Sequence, residues 1–268
     1  MTWVLTLVAS QTYLDKAFGT IRQARSVGKW TDDVVLIIPN DVTLSDENRR
    51  IVDLLRVMIR VVRPKNLSRI IGFWERHSTH PQYDYLTKRP GLYLKYNVFD
   101  TYFKQWDTVA YLDAGAVVLG DFGRIKTSCE PRGWLYAHCD GYPTYEWKLG
   151  CQFAFDVFDP REAHMMKRKY AMGCDYFQST LMIFSSSILE PGLPDKLFAL
   201  HERYPISTTG DQAILNLYFL LERGLWRPLP VRDDRGFLYD FHERDGCTAN
   251  DYVVLKYPTS LTEPLHVE

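Results

Sequence analysis

Along this chain, short apolar runs alternate with segments whose apolar positions recur at helical spacing. Trp3 to Val8 (WVLTLV) is apolar almost throughout, the pattern of a strand buried on both faces. A polar turn at Ala9 to Thr12 follows, and Tyr13 to Ser26 then places Leu14, Ala17, Phe18, Ile21 and Ala24 along one helical face. Asp33 to Ile38 predicts a second strand, closed by Pro39, Asn40 and Asp41. Ser45 to Arg56 predicts a helix capped by Ser45, with Asp46 and Glu47 in its first turn, and Arg60 to Val62 a third short strand. Strands and helices in this alternation imply an α/β fold around a mostly parallel sheet with right-handed crossovers.

The pattern weakens from 64 to 90, which reads as an irregular connection, and helical spacing returns at Leu92 to Tyr102. Val109 to Leu112 then form an apolar run ending in one carboxylate, Asp113, followed by Ala114, Gly115 and a second run, Val117 to Leu119. That is a buried strand delivering an acid to its carboxyl end, where ligands sit in open α/β sheets, with small residues that let a ligand approach the backbone. Further strands are expected at Trp134 to His138, Tyr176 to Phe184 and Tyr252 to Leu255, and helices at Leu193 to Glu202 and Gln212 to Glu222. The polar and aromatic stretch 143–173 is an insertion without an assigned element. No repeat or linker divides the chain, so a single domain over 1–268 is expected.

Composition narrows the function classes. A net charge of -1 provides no basic field, which argues against nucleic acid or an anionic membrane as partner. Five cysteines, widely spaced and without a C-x-x-C pair, point to reduced buried thiols rather than disulfides or a zinc site. The first apolar run is short and lacks a basic lead-in, and no run reaches the roughly 20 residues of a membrane span. No transmembrane segment and a cytoplasmic location are therefore expected; the oligomeric state is left open.

Four blocks, in order, carry a family resemblance. They are Thr6 to Tyr13 (TLVASQTY), Lys88 to Asp121 with Lys95 ahead of the acidic strand end, Phe177 to Phe184 (FQSTLMIF), and Gly210 to Asn216 (GDQAILN). Together the chain resembles the glycogenin-like members of glycosyltransferase family 8, which have the GT-A fold and take nucleotide-sugar donors. The resemblance implies a single Rossmann-like domain with a central, mostly parallel mixed sheet, a nucleotide-binding half at 1–122 and an acceptor and catalytic half at 123–268. It implies transfer of a hexosyl or pentosyl group from a UDP-sugar to a hydroxyl of a glycan or another acceptor, with retention at the anomeric carbon. Leu7, Val8, Ala9 and Tyr13 would hold the base, Lys95, Asp113, Ala114, Gly115, Gln178, Ser179 and Lys256 the rest of the donor, and Asp211 and Gln212 would act at the sugar. If the reaction inverts, Asp140 or Asp211 would be the general base.

The sequence departs from that family at the metal site. The family pattern D-x-D grips Mn²⁺ or Mg²⁺ across the diphosphate, because hard cations take oxygen ligands. Here Asp113-Ala114-Gly115 lacks the second acid, and Val253 to Pro258 (VVLKYP) lacks the family histidine. Asp113 alone remains as a metal ligand, with His242 or Asp245 as a supplementary group, or Lys95 and Lys256 supply the positive charge instead. Loss of catalysis with retention of sugar-nucleotide binding is the competing reading. A nucleotidyltransferase is disfavoured because ASQTYLDK is not a glycine-rich phosphate loop, and self-glucosylation because no long tail follows.

Overall fold

The computed structural model describes residues 1–259, so the expected boundary at residue 268 lies outside them. In chain order, strand β1 is Trp3–Val8, helix α1 Leu14–Ser26, β2 Asp33–Pro39, α2 Asp46–Leu55 and β3 Val57–Val62. The expected irregular stretch contains two short helices, α3 (Ser68–Glu75) and α4 (Tyr83–Thr87), and leads into 3-10 turns at Pro90–Phe99 and Thr101–Gln105. Next come β4 (Thr108–Leu112), β5 (Val117–Val118), α5 (Gly123–Ser128), β6 (Leu135–Cys139), α6 (Pro160–Lys169), β7 (Phe177–Ser185), α7 (Leu193–Arg203) and α8 (Asp211–Leu215). The end is β-rich, with β8 (Trp226–Pro228), β9 (Arg232–Asp233), β10 (Gly236–His242) and β11 (Tyr252–Tyr257).

The main sheet has the order β3-β2-β1-β4-β7-β6-β8, in which β3, β2, β1 and β4 run parallel and β7 runs antiparallel to both β4 and β6. Inverting β7 brings its amino end beside the carboxyl ends of β1, β4 and β6, so all four contribute to one edge. Alternation along each strand divides the core. Val4, Val35, Ile37, Val109, Tyr111 and Phe184 face one side, under α3, α7 and α8. Leu5, Leu7, Leu36, Ala110, Leu112 and Ile183 face the other, under α1 and a second sheet of order β5-β11-β10-β9. Strands buried on both faces are what the near-continuous apolar runs demanded.

Local signals account for several boundaries. The α2 start is a reciprocal capping box, with the Asn48 amide donating to the Ser45 hydroxyl (3.1 Å) and the Ser45 amide to the Asn48 side chain (3.3 Å). Insertion 143–173 folds as two 3-10 turns and α6, which Asp159 caps by accepting from the amides of Arg161 and Glu162. The single helix expected over Gln212 to Glu222 is α8 continued by a π-helical stretch, Asn216–Glu222. The thiols are all unbridged, but only Cys129 and Cys139 are buried, while Cys151 is exposed. No helix among the described residues is long and apolar enough to cross a membrane.

Candidate functional site

The shared strand edge opens into a cleft of ≈1190 Å³. Its first wall follows the end of β1, with Val8, Thr12 and Tyr13, and its floor includes Asp113 and Ala114 after β4. Lys95, Gln178, Ser179, Asp211, Gln212 and Lys256 also line it, as do Asp140, His242 and Asp245. Three of the expected donor residues lie apart from this lining. Leu7 is fully buried within β1, paired to Leu36, and the Ala9 amide donates to the Ile37 carbonyl (3.0 Å), so that amide is already committed to the sheet. Gly115, at φ +87°, turns away to donate its amide to the Thr20 hydroxyl (3.0 Å).

Lys95 is the centre of the charged network. Sequence places it on a helix with an apolar opposite face; in the fold it is 6% exposed, on the 3-10 turn between buried Leu94 and Tyr96. Its ammonium bridges Asp113 (3.0 Å) and Asp211 (2.9 Å) and donates to the Ser179 hydroxyl (3.0 Å). Burial alone would lower the Lys95 pKa, but the two carboxylates outweigh it and hold the ammonium above its ordinary value. Asp113 also receives the Tyr111 hydroxyl (2.5 Å) and faces Lys256 (3.4 Å). Burial pushes the Asp113 carboxyl up, yet Lys95 and then Lys256 prevail and bring it to about 2. Asp211 is more enclosed, with one ammonium and the Ser179 hydroxyl (2.7 Å), and burial holds its carboxyl above the usual value.

A network of side-chain amides around one carboxylate, Asp140, adjoins this charged one. Gln212 accepts from the Ser179 amide (3.1 Å) and donates to Gln152 (3.0 Å) and Asp140 (3.3 Å). Gln178 donates to the other Asp140 oxygen and accepts from the Tyr239 hydroxyl (2.7 Å). Gly210 makes the geometry possible, since its φ of +67° at the start of α8 is open to glycine and strained for other residues. Gln152, Tyr239 and Thr209 escaped the sequence reading. They reach the site from an unassigned insertion, an unread strand and a loop, and nothing local in their sequence marks them.

The donor set does not fit Mn²⁺ or Mg²⁺. The Asp113 carboxylate is shared among Lys95, Lys256 and Tyr111, and Gly115 stands where a D-x-D pattern would put its second acid. Among the described residues, no group of three His, Cys, Asp or Glu side chains is placed to hold an ion, so His242 and Asp245 complete no such set with Asp113.

The sheet order, the inverted β7 and the cleft at the strand ends define the GT-A fold. An active-site mutant of LgtC superposes with a TM-score of 0.60 at 16% identity, covering 95% of this chain and 86% of that one. The galactosyltransferase LgtC with donor and acceptor sugar analogues gives 0.56 at 16% identity, covering 89% and 75%. The mannosyltransferase Ktr4p from S. cerevisiae in complex with GDP gives 0.53 at 10% identity, covering 85% and 69%. No family model and no curated protein matches the sequence.

Proposed function

We propose that this protein is a glycosyltransferase of the glycogenin-like type, moving a sugar from a UDP-sugar to a glycan hydroxyl with retention of configuration, and that 1–122 and 123–268 act as the donor and acceptor halves of one domain. The observation that carries the reading is the Lys95 bridge. It joins the end of β4, where a diphosphate would lie, to the start of α8, where Asp211 and Gln212 meet the reacting sugar.

In this reading the base stacks on Tyr13, and Val8 and Thr12 border it. Lys256, on the cleft wall with its side chain 12% exposed, and Lys95 face the diphosphate, doing electrostatically what a metal does in D-x-D enzymes. The anomeric C–O bond breaks with its electron pair passing to the diphosphate. The acceptor oxygen forms the new bond, and its proton goes to the departing phosphate oxygen. Asp211 steadies the positive ring, and Gln212 lies along the anomeric face. An inverting route through Asp140 is less well served, because both its oxygens already accept from Gln178 and Gln212.

The test is hydrolysis of UDP-hexoses, UDP-pentoses and GDP-mannose, with and without chelator. Release of UDP in chelator, with sugar of retained configuration, is expected. Turnover confined to GDP-mannose or an inverted product would replace the reading.

A further inference from the structure

The reach of Lys95 to Asp113, Asp211 and Ser179 depends on how the turn that carries it is set. Pro90–Phe99 is a 3-10 turn, in which each residue is rotated about 120° from the last, so that residues three apart share a face. Leu92 and Lys95 therefore lie on one face, and both line the cleft. Tyr93, Tyr96 and Phe99 lie on the next. Phe99 anchors one end of that face in the core, its ring centroid 4.9 Å from Phe184 and 4.6 Å from Phe219. The two tyrosines meet a single imidazole.

That imidazole is His201, in the last turn of α7 and 0% exposed, so nothing bound in the cleft touches it. Its Nδ1 lies 2.8 Å from the Tyr96 hydroxyl, and its ring centroid lies 5.1 Å from Tyr93 and 6.2 Å from Tyr96. One side chain thus holds both tyrosines that flank Lys95. Tyr93 is fixed at its far end as well, where its hydroxyl donates to the Leu86 carbonyl (3.3 Å).

Burial lowers the His201 pKa to about 3, which keeps the ring neutral, and burial, then Asp211 and Tyr93, hold the Tyr96 hydroxyl well above its ordinary value. With that hydroxyl donating to Nδ1, the ring proton sits on Nε2, which has no partner. The reverse arrangement would leave a hydroxyl proton and a nitrogen lone pair both unmet, so it is the worse one. An apolar side chain would fill this space with no unmet group. What the imidazole adds is the one bond it makes, and that bond goes to the turn of Lys95.

We propose that His201 is a positioning residue: through its bond to Tyr96 and its contact with Tyr93 it fixes the rotation of the Pro90–Phe99 turn, and so the place of the Lys95 ammonium between Asp113 and Asp211. Its catalytic meaning rests on the glycosyl-transfer reading, in which a misplacement of about 1 Å can cost on the order of a hundredfold in rate. The mechanical coupling does not depend on that reading.

Melting curves of a double-mutant cycle measure the coupling without any ligand. Tyr96→Phe deletes only the hydroxyl, His201→Leu deletes the ring, and His201→Asn keeps an acceptor near the place of Nδ1. In the wild-type background Lys95→Met should lower the Tm by about 6–12 °C. In the Tyr96→Phe and His201→Leu backgrounds that drop should shrink to less than about half, because an ammonium out of place no longer holds the two carboxylates, and in His201→Asn it should stay nearly whole. If His201 only fills space, the Lys95→Met drop is the same in every background, which would overturn the proposal. A full drop in Tyr96→Phe would do so even where His201→Leu fails to fold. UDP titration in EDTA carries the test to the donor, with Tyr96→Phe expected to weaken UDP about threefold or more. Unchanged UDP affinity beside intact thermal coupling would support the positioning and count against Lys95 at the diphosphate.

Discussion

Replacing Lys95 with Met retains the stem and deletes the ammonium that faces Asp113 at 3.0 Å and Asp211 at 2.9 Å. Asp113 keeps Lys256 and Tyr111, but Asp211, with its side chain 3% exposed, keeps only the Ser179 hydroxyl. Removing one partner of a buried pair costs about 3–5 kcal/mol, and the cation left beside Asp113 places this variant at the low end, about 3 kcal/mol. At roughly 2–4 °C per kcal/mol for a chain of this size, the Tm should fall by about 6–12 °C at pH 8. The pH dependence has a definite sign. Asp113, depressed to about 2, contributes stability above its unfolded value of about 3.9 and loses it as pH falls through the folded value. Lys95 is raised, so its contribution is complete below about 10.4 and lost only as pH rises through its folded value. In the variant the stranded Asp211 escapes by taking up a proton, so the gap to wild type narrows on acidification. Calorimetric melts at pH 8 and pH 4.5 measure this directly. A Tm within about 2 °C of wild type at pH 8, or a gap that widens at pH 4.5, would refute the reasoning.

Tyr13→Ala should weaken UDP binding by about 1–3 kcal/mol, the usual worth of a stacked base, and calorimetric titration reads it; unchanged affinity removes Tyr13 from the site. Asp211→Ala and Gln212→Ala should abolish transfer while UDP affinity stays near wild type, because both act at the sugar; wild-type turnover in either would remove it from the chemistry. Gly210→Ala forces a side chain into φ +67° with its Cβ 3.2 Å from Leu92, so a loss of about 1–3 kcal/mol is expected by urea denaturation, and a neutral result would mean the α8 start relaxes freely.

The central strands were legible because their burial on both faces writes an unbroken apolar run: WVLTLV, DVVLII and TVAYL each lie within a strand of the main sheet. The α2 start was legible from Ser45 followed by Asp46 and Glu47, although the reciprocal partner of Ser45 is Asn48. The signals of α6 were also present, an Asp N-cap, Pro at the first turn and basic residues in the last, but surrounding aromatics obscured them. Strands β8 to β10 escaped for a physical reason. Two of them are three residues or fewer and rich in Arg, Asp and Pro, and β10 (GFLYDFH) has apolar residues on both faces, so it shows no clean alternation. For the site, the strand-end Asp113 and the GDQ turn were readable as local motifs. The burial of Lys95 was not, since its partners lie 18 and 116 residues away and only the sheet order joins them. His138 reads in sequence as one more residue of a core strand, and the burial of both its ring nitrogens without a hydrogen-bond partner is visible only in three dimensions.

In the proposed mechanism Lys95 and Lys256 meet the diphosphate in place of a metal, and UDP titration in EDTA tests that claim most directly. Wild type should bind UDP in EDTA, with affinity changed by less than about threefold when Mn²⁺ is supplied, and Lys256→Met should lose about 1.4 kcal/mol or more, a factor of ten. No binding until Mn²⁺ is added, together with wild-type affinity in Lys256→Met, would contradict it.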